Sequence, residues 1–201
     1  MSDPRPPNPT QLSTGLPGLT HHITGHHSNG TATIASTRPA TWTTLLNNSL
    51  AFNVVYTTSQ FPVSLTSDTD LHTHDQLLSS GNLGLVNPNG TVARIVDFAP
   101  GSEPLMHRTQ SLDYGIVLEG EVEMWLDDGT KQVMRRGDVA VQRGTSHGWR
   151  NTSETEWCRM FFVLQDCQKV EVGGKSLGED VSNAGDVKGL ESVSGEGASK
   201  I

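Results

Sequence analysis

Gly101-Ser102-Glu103-Pro104-Leu105-Met106-His107-Arg108-Thr109-Gln110-Ser111-Leu112-Asp113-Tyr114-Gly115-Ile116-Val117-Leu118-Glu119-Gly120 is the stretch that decides how this chain folds. Its first five residues, with Pro100 ahead of them, have turn composition. The run from Tyr114 to Leu118 is aromatic and β-branched and stops at the tight Glu119-Gly120 corner, as a strand does. His107 and, further on, His147 are therefore placed near strand ends, where small barrels build ligand sites at their mouths.

A second segment answers the first. Gly137-Asp138 leads to the turn Arg143-Gly144-Thr145-Ser146 and then His147-Gly148-Trp149-Arg150-Asn151. Two or three hairpins suffice to close the gap between His107 and His147. Two imidazoles and one carboxylate, all candidate metal ligands, then fall on adjacent strands.

The rest of the chain reads mostly as strands: Thr31 to Ala35, Phe52 to Tyr56, Thr91 to Phe98, Glu121 to Leu126, Lys131 to Met134, Val139 to Gln142 and Trp157 to Leu164. Gly, Pro, Asn or Asp bound each of them. Asp127-Asp128-Gly129-Thr130 is a hairpin turn, and Arg136-Gly137-Asp138 a second. Helical periodicity is scarce; Ala40 to Leu50 is the best candidate for one or two turns and Asp75 to Ser79 a weaker one. Many short strands separated by turn residues predict an all-β barrel or jelly-roll sandwich.

At His107 and His147 the chain resembles the cupin superfamily. The family's first motif is Gly-x5-His-x-His-x3/4-Glu-x6-Gly, and Gly101, His107, Asp113 and Gly120 fall on it with its spacing intact. The second is Gly-x5-Pro-x-Gly-x2-His-x3-Asn, which Gly137, His147 and Asn151 match after deletion of one residue in the turn, where Arg143-Gly144 replaces Pro-x-Gly. The resemblance spans residues 20 to 178 and is closest to small single-domain cupins. It implies a double-stranded β-helix (jelly-roll) barrel over residues 19–172, with its core at about 91–165; the Pro-, Asn-, Ser- and Thr-rich 1–18 and the Gly-, Ser-, Lys- and Glu-rich 173–201 read from composition as flexible tails.

The resemblance also implies a divalent metal held by two histidines and a glutamate of the first motif and the histidine of the second. Here His107 and His147 take histidine positions, Asp113 replaces glutamate with one methylene less reach, and Thr109 stands where the second histidine belongs. The expected set is therefore His107, His147 and Asp113, with Thr109 holding a metal-bound water. Two histidines and a carboxylate leave coordination positions open and favour Fe(II), with Zn, Mn or Ni as alternatives. The missing imidazole lowers metal affinity, so a metal-free barrel is the other expectation.

The function expected is a metal-dependent enzyme acting on a small organic acid, aromatic or polyketide-type metabolite, an oxidoreductase before a lyase or cyclase. A non-catalytic small-molecule binder is the alternative. His147, Tyr114 and Arg150 are the candidate catalytic groups, and Trp125, Trp149 and Arg108 the candidate substrate contacts, with Met124 as a further wall. Arg108 and Arg150 each follow or precede a motif residue, so strand alternation sends them to the opposite face unless they reach the cavity. A buried Asp113 has Arg94, Arg108 and Arg150 as possible partners. His72-x-His74 is a minor rival site if extended, and His21-His22 and His26-His27 read as solvated.

Composition narrows the partners. With 14 basic and 22 acidic residues the formal net charge is -8 and no Lys/Arg block appears, which argues against nucleic acid and anionic membranes. The apolar runs are too short to span a bilayer, and Met1-Ser2-Asp3-Pro4-Arg5-Pro6-Pro7 has no apolar signal core. Cys158 and Cys167 make no disulfide framework, so a reducing cytoplasm is expected. The partners expected are a small-molecule substrate and, from the resemblance, a second copy in a homodimer. Glycine loops for phosphates, the G-x-S-x-G elbow and C-x-x-C pairs are absent.

Overall fold

The structure is a computed structural model that describes residues 5–184. Fourteen elements follow in order: β1 (Thr20–His26), β2 (Ala32–Pro39), β3 (Thr43–Leu45), β4 (Leu50–Thr58), α1 (Thr69–Ser80), β5 (Thr91–Phe98), β6 (Ser111–Glu119), β7 (Glu121–Leu126), β8 (Lys131–Arg135), β9 (Val139–Arg143), β10 (His147–Asn151), β11 (Cys158–Asp166), β12 (Val170–Val172) and β13 (Lys175–Leu177). Two sheets carry the barrel. A six-stranded sheet runs β3-β4-β5-β11-β6-β9, and a three-stranded sheet runs β10-β7-β8.

Alternation builds the core between them. On β6 Ser111, Asp113, Gly115 and Val117 are buried, while Tyr114 is 41% exposed on the other face. Val96 and Phe98 of β5, Met160, Phe162 and Leu164 of β11 and Val122 of β7 join Trp149 of β10 in one apolar cluster. Gly115 is where this packing demands a bare backbone: a Cβ there would lie 2.8 Å from the Phe162 ring. The all-β jelly-roll barrel expected from the sequence is the fold observed.

The outer face of the six-stranded sheet is also covered. Asp97 and Arg159, both fully buried, form a bidentate pair at 2.6 and 2.7 Å. Ser13 Oγ donates to the same carboxylate, and Arg159 donates to the Pro17 carbonyl at 2.8 Å. Within the arm expected to be mobile over 1–18, Gln11, Ser13 and Gly18 are buried, because a buried ion pair needs its remaining donors and acceptors satisfied. Residues 1–4 lie outside the described residues.

The expected tail at 173–201 is likewise ordered as far as 184. β12 and β13 form a hairpin, Arg108 and Asp180 exchange backbone hydrogen bonds, and Val181 reaches the barrel interior. Residues 185–201 lie outside the described residues.

Two helix expectations change. Ala40 to Leu50 holds β3 and a turn whose Leu46, Asn47 and Asn48 have positive φ, since β3 pairs with β4 and the pairing overrides local periodicity. The weaker candidate at Asp75 lies inside the real helix α1. Its Thr- and Ser-rich sequence hides it from a periodicity test, with His74 its one buried residue.

Candidate active site

His107 and His147 are joined through the main chain. The amide of each donates to the carbonyl of the other at 2.9 Å, an antiparallel bridge between the segment ahead of β6 and the start of β10. Their ring centroids stand 4.5 Å apart. His107 Nδ1 lies 2.9 Å from the Leu105 carbonyl and His147 Nδ1 2.9 Å from the Thr145 carbonyl. A carbonyl only accepts, so the network assigns the ring proton to each Nδ1 and leaves each Nε2 with its lone pair. Burial lowers both imidazole pKa values, that of His147 to about 3 with the neighbouring His107 adding to the shift. Both rings are neutral at neutral pH.

Asp113 is buried on β6. Thr109 Oγ1 donates to its Oδ2 at 3.4 Å and accepts from Ser111 Oγ at 2.7 Å, while Oδ1 has no partner. Burial pushes the Asp113 carboxyl up to about 6, against the pull of Ser111, Thr109 and the Arg94 charge. Arg94, buried on β5, donates through Nη2 to the Gly84 and Leu85 carbonyls at 2.8 Å each, and its guanidinium lies 5.5 Å from the Phe52 ring centre. Its Nε is buried and unpartnered. Burial lowers its pKa to about 10, so it keeps its charge at neutral pH.

These four polar groups line one cavity of about 80 Å³ inside the barrel, in a wall otherwise apolar. Trp149 supports His147 edge-on at 5.6 Å and meets Phe162 at 5.5 Å. Gly148 sits against the strap ahead of His107; a Cβ there would lie 2.9 Å from Met106 Sδ and 3.2 Å from the Leu105 carbonyl. Small size at Gly148 is thus what lets the strap hold His107 beside His147.

The donors fit the expected metal only in part. Among the described residues no group of three His, Cys, Asp or Glu side chains is arranged to hold a metal ion. The two imidazoles stand together, but Asp113, a methylene shorter than glutamate, is engaged by Thr109. The hydroxyl expected to hold a metal-bound water is directed at that carboxylate. A closed His107-Asp113-His147 ligand set is not what these side chains form.

Of the remaining candidates Trp149 reaches the cavity and the others do not. Trp125 is on the outward face of β7, where its indole N–H donates to Glu123 at 2.5 Å and Lys131 Nζ lies 3.5 Å over its ring. Tyr114 points outward from β6. Arg150 faces Glu103 at 3.6 Å and Arg108 faces Asp127 at 3.8 Å, on the side opposite the motif residues as alternation requires. Met124 packs against the core. His72 is exposed on α1, whereas buried His74 accepts from the Thr57 amide at 3.2 Å, so a helix rather than an extended segment separates the two. His21, His22 and His26 lie on β1 in a hairpin with β2. Arg94 as part of the cavity wall was missed, although a charge in the middle of an apolar strand was its signal.

Residues 94–164 match the cupin domain family. The chain is 43% identical over 171 residues to phomopsin biosynthesis cluster protein D of Diaporthe leptostromiformis, covering 81% of this chain and 90% of that protein. The chain belongs to the cupin family. This cupin is also 40% identical over 175 residues to oryzines biosynthesis cluster protein J of Aspergillus oryzae, across 86% of this chain and 95% of the relative. Cupin-domain-containing oxidoreductase fogC of Aspergillus ruber is 42% identical over 166 residues, covering 81% of this chain and 80% of its own length. Among the described residues no helix is long and apolar enough to cross a membrane.

Proposed function

We propose that this cupin is an oxidoreductase whose reaction chamber is the barrel interior, acting on a small, largely apolar aromatic or polyketide-type metabolite that bears a hydroxyl or carbonyl group. The observation that carries the reading is the neutral imidazole pair set in an apolar, buried cavity. Each Nε2 lone pair is an acceptor for a substrate O–H, and dry walls strengthen such a bond. His147, the more buried ring, accepts the hydrogen bond of the substrate hydroxyl, Arg94 offers positive charge to its oxygen, and the electrons of an oxidation would pass to dioxygen or to a metal held at the two Nε2 atoms. The relative named an oxidoreductase supports the reaction class, and those named for biosynthesis clusters support a role in making a metabolite.

A divalent metal, Fe(II) first, is the second reading. It is favoured by the two Nδ1 contacts to carbonyls, which fix both Nε2 lone pairs in the way that metal-ligating histidines are fixed. Metal analysis of tag-free protein reconstituted with Fe(II) tests it: under one tenth of an equivalent bound, unchanged by His107→Ala, removes this reading.

The function itself is tested by mass spectrometry of phenols, aryl alcohols and aryl aldehydes incubated with the protein, with and without chelator. Gain or loss of two hydrogens or one oxygen, abolished by His147→Ala, is expected. Loss of water or carbon dioxide instead makes the protein a lyase, and ligand-induced thermal stabilisation without turnover makes it a binder. We further propose a homodimer, supported by Tyr114, Val139 and Val141, side by side and exposed on the outer face at the β6–β9 edge.

A further inference from the structure

A second cavity adjoins the first. It is a cleft of about 690 Å³ between α1, the β1–β2 hairpin and β4, and Phe52 and Arg94 line it as well as the barrel interior. The interior, at about 80 Å³, is well under the roughly 150 Å³ that accommodates a benzene ring. Metabolite-binding pockets occupy roughly 300–1,000 Å³, the class of the cleft.

The cleft wall also carries buried polar groups. Asn53 is 2% exposed; its Nδ2 donates to the Thr41 carbonyl at 2.8 Å, and its side chain also meets the His21 imidazole. His21 Nε2 is buried against Asn53; burial lowers the pKa of the imidazole, and its side-chain hydrogen bond with Asn53 opposes that shift. His74 accepts at Nδ1, so its Nε2 carries the proton and is a donor.

We infer that the two cavities are compartments of one substrate site: the reacting hydroxyl or carbonyl end enters the barrel beside His107 and His147, and a longer tail lies in the outer cleft over Asn53, with Phe52 and Arg94 forming the neck between them. The inference rests on the barrel reading given above and adds the size and polarity of the substrate. The Phe52 ring and the Arg94 guanidinium, tied to the Gly84 and Leu85 carbonyls, leave an aromatic-lined passage suited to the flat part of such a molecule. The tail is mainly apolar.

Calorimetric binding of phenol and 4-heptylphenol to the full-length protein tests this. Wild type is expected to bind the longer probe at least about tenfold tighter, a modest share of what full burial of seven carbons gives. Thr43→Trp, at an exposed cleft-rim position outside the barrel wall, should erase that gain and leave phenol unchanged; Thr41→Trp on the same rim repeats the test should the first variant fold poorly. Equal affinities in wild type, or a tail gain that survives both substitutions, overturns the inference alone. No phenol binding, or phenol binding unaffected by His147→Ala, overturns it together with the barrel reading.

Discussion

Asp113→Asn should make the protein more stable at neutral pH and lose that advantage in acid. The carboxyl ionises at about 6 in the fold and at 3.8 when exposed, because burial disfavours its charge. A carboxyl whose folded pKa is raised draws stability from protonation, so wild type is penalised as pH rises from 3.8 through 6. Two units at roughly 1.4 kcal/mol each give a penalty of about 3 kcal/mol above pH 6 and none below about pH 3.8. Asn carries no charge, but its NH2 then occupies the place of an oxygen that has no partner, costing about 1 kcal/mol. The expected net gain is about 2 kcal/mol near neutrality. Urea unfolding followed by circular dichroism at about pH 7.5 and about pH 4, with chelator present, measures it; the shifts of groups that do not feel the Asp113 charge, as Arg94 and Cys167 do, cancel between variant and wild type. A variant equally or less stable than wild type at both pH values refutes the argument that burial strains this carboxyl. Loss of turnover alongside gained stability marks Asp113 as kept for function.

Three other outcomes are expected. Asp97→Asn should cost about 3–5 kcal/mol in urea unfolding, since Arg159 would be left buried against a neutral partner, while Asp97→Leu combined with Arg159→Met should cost much less. Gly148→Ala should keep the protein folded by circular dichroism yet lower turnover at least about tenfold, because its Cβ displaces the strap that carries His107; unchanged turnover would show that the strap yields freely. Tyr114→Phe should leave kcat and KM as they are, the hydroxyl being on the outer face, whereas Val141→Lys should shift light-scattering mass toward the monomer if that face joins two copies.

The barrel was legible because its strands are short, β-branched and punctuated, and Thr91 to Phe98 and Glu121 to Leu126 are strands at those very limits. The pairing of His107 with His147 was legible because both follow turns at motif spacing. Distances that depend on side-chain reach were not. Nothing local to Asp113 tells that Thr109 engages it, and nothing local to Ser13 tells that it caps an ion pair 84 residues away. Trp125 and Tyr114 were assigned to the cavity by residue type, when the parity of Val122 and Asp113 on the same strands already sent them outward. Helix α1 was obscured for another reason: it covers the sheet with few apolar side chains, so its periodicity is weak.

The bridge between His107 and His147 sets what this scaffold can change without losing its centre. Because two main-chain hydrogen bonds fix the spacing of the two backbone positions that carry the rings, the pair is inherited as a unit. Thr109 can then stand in the position of a histidine, and the neighbouring carboxylate can shorten, with both imidazoles still in place. Chemistry in such a barrel can drift from one ligand set to another by point substitution, on a pair of rings whose placement the backbone alone guarantees.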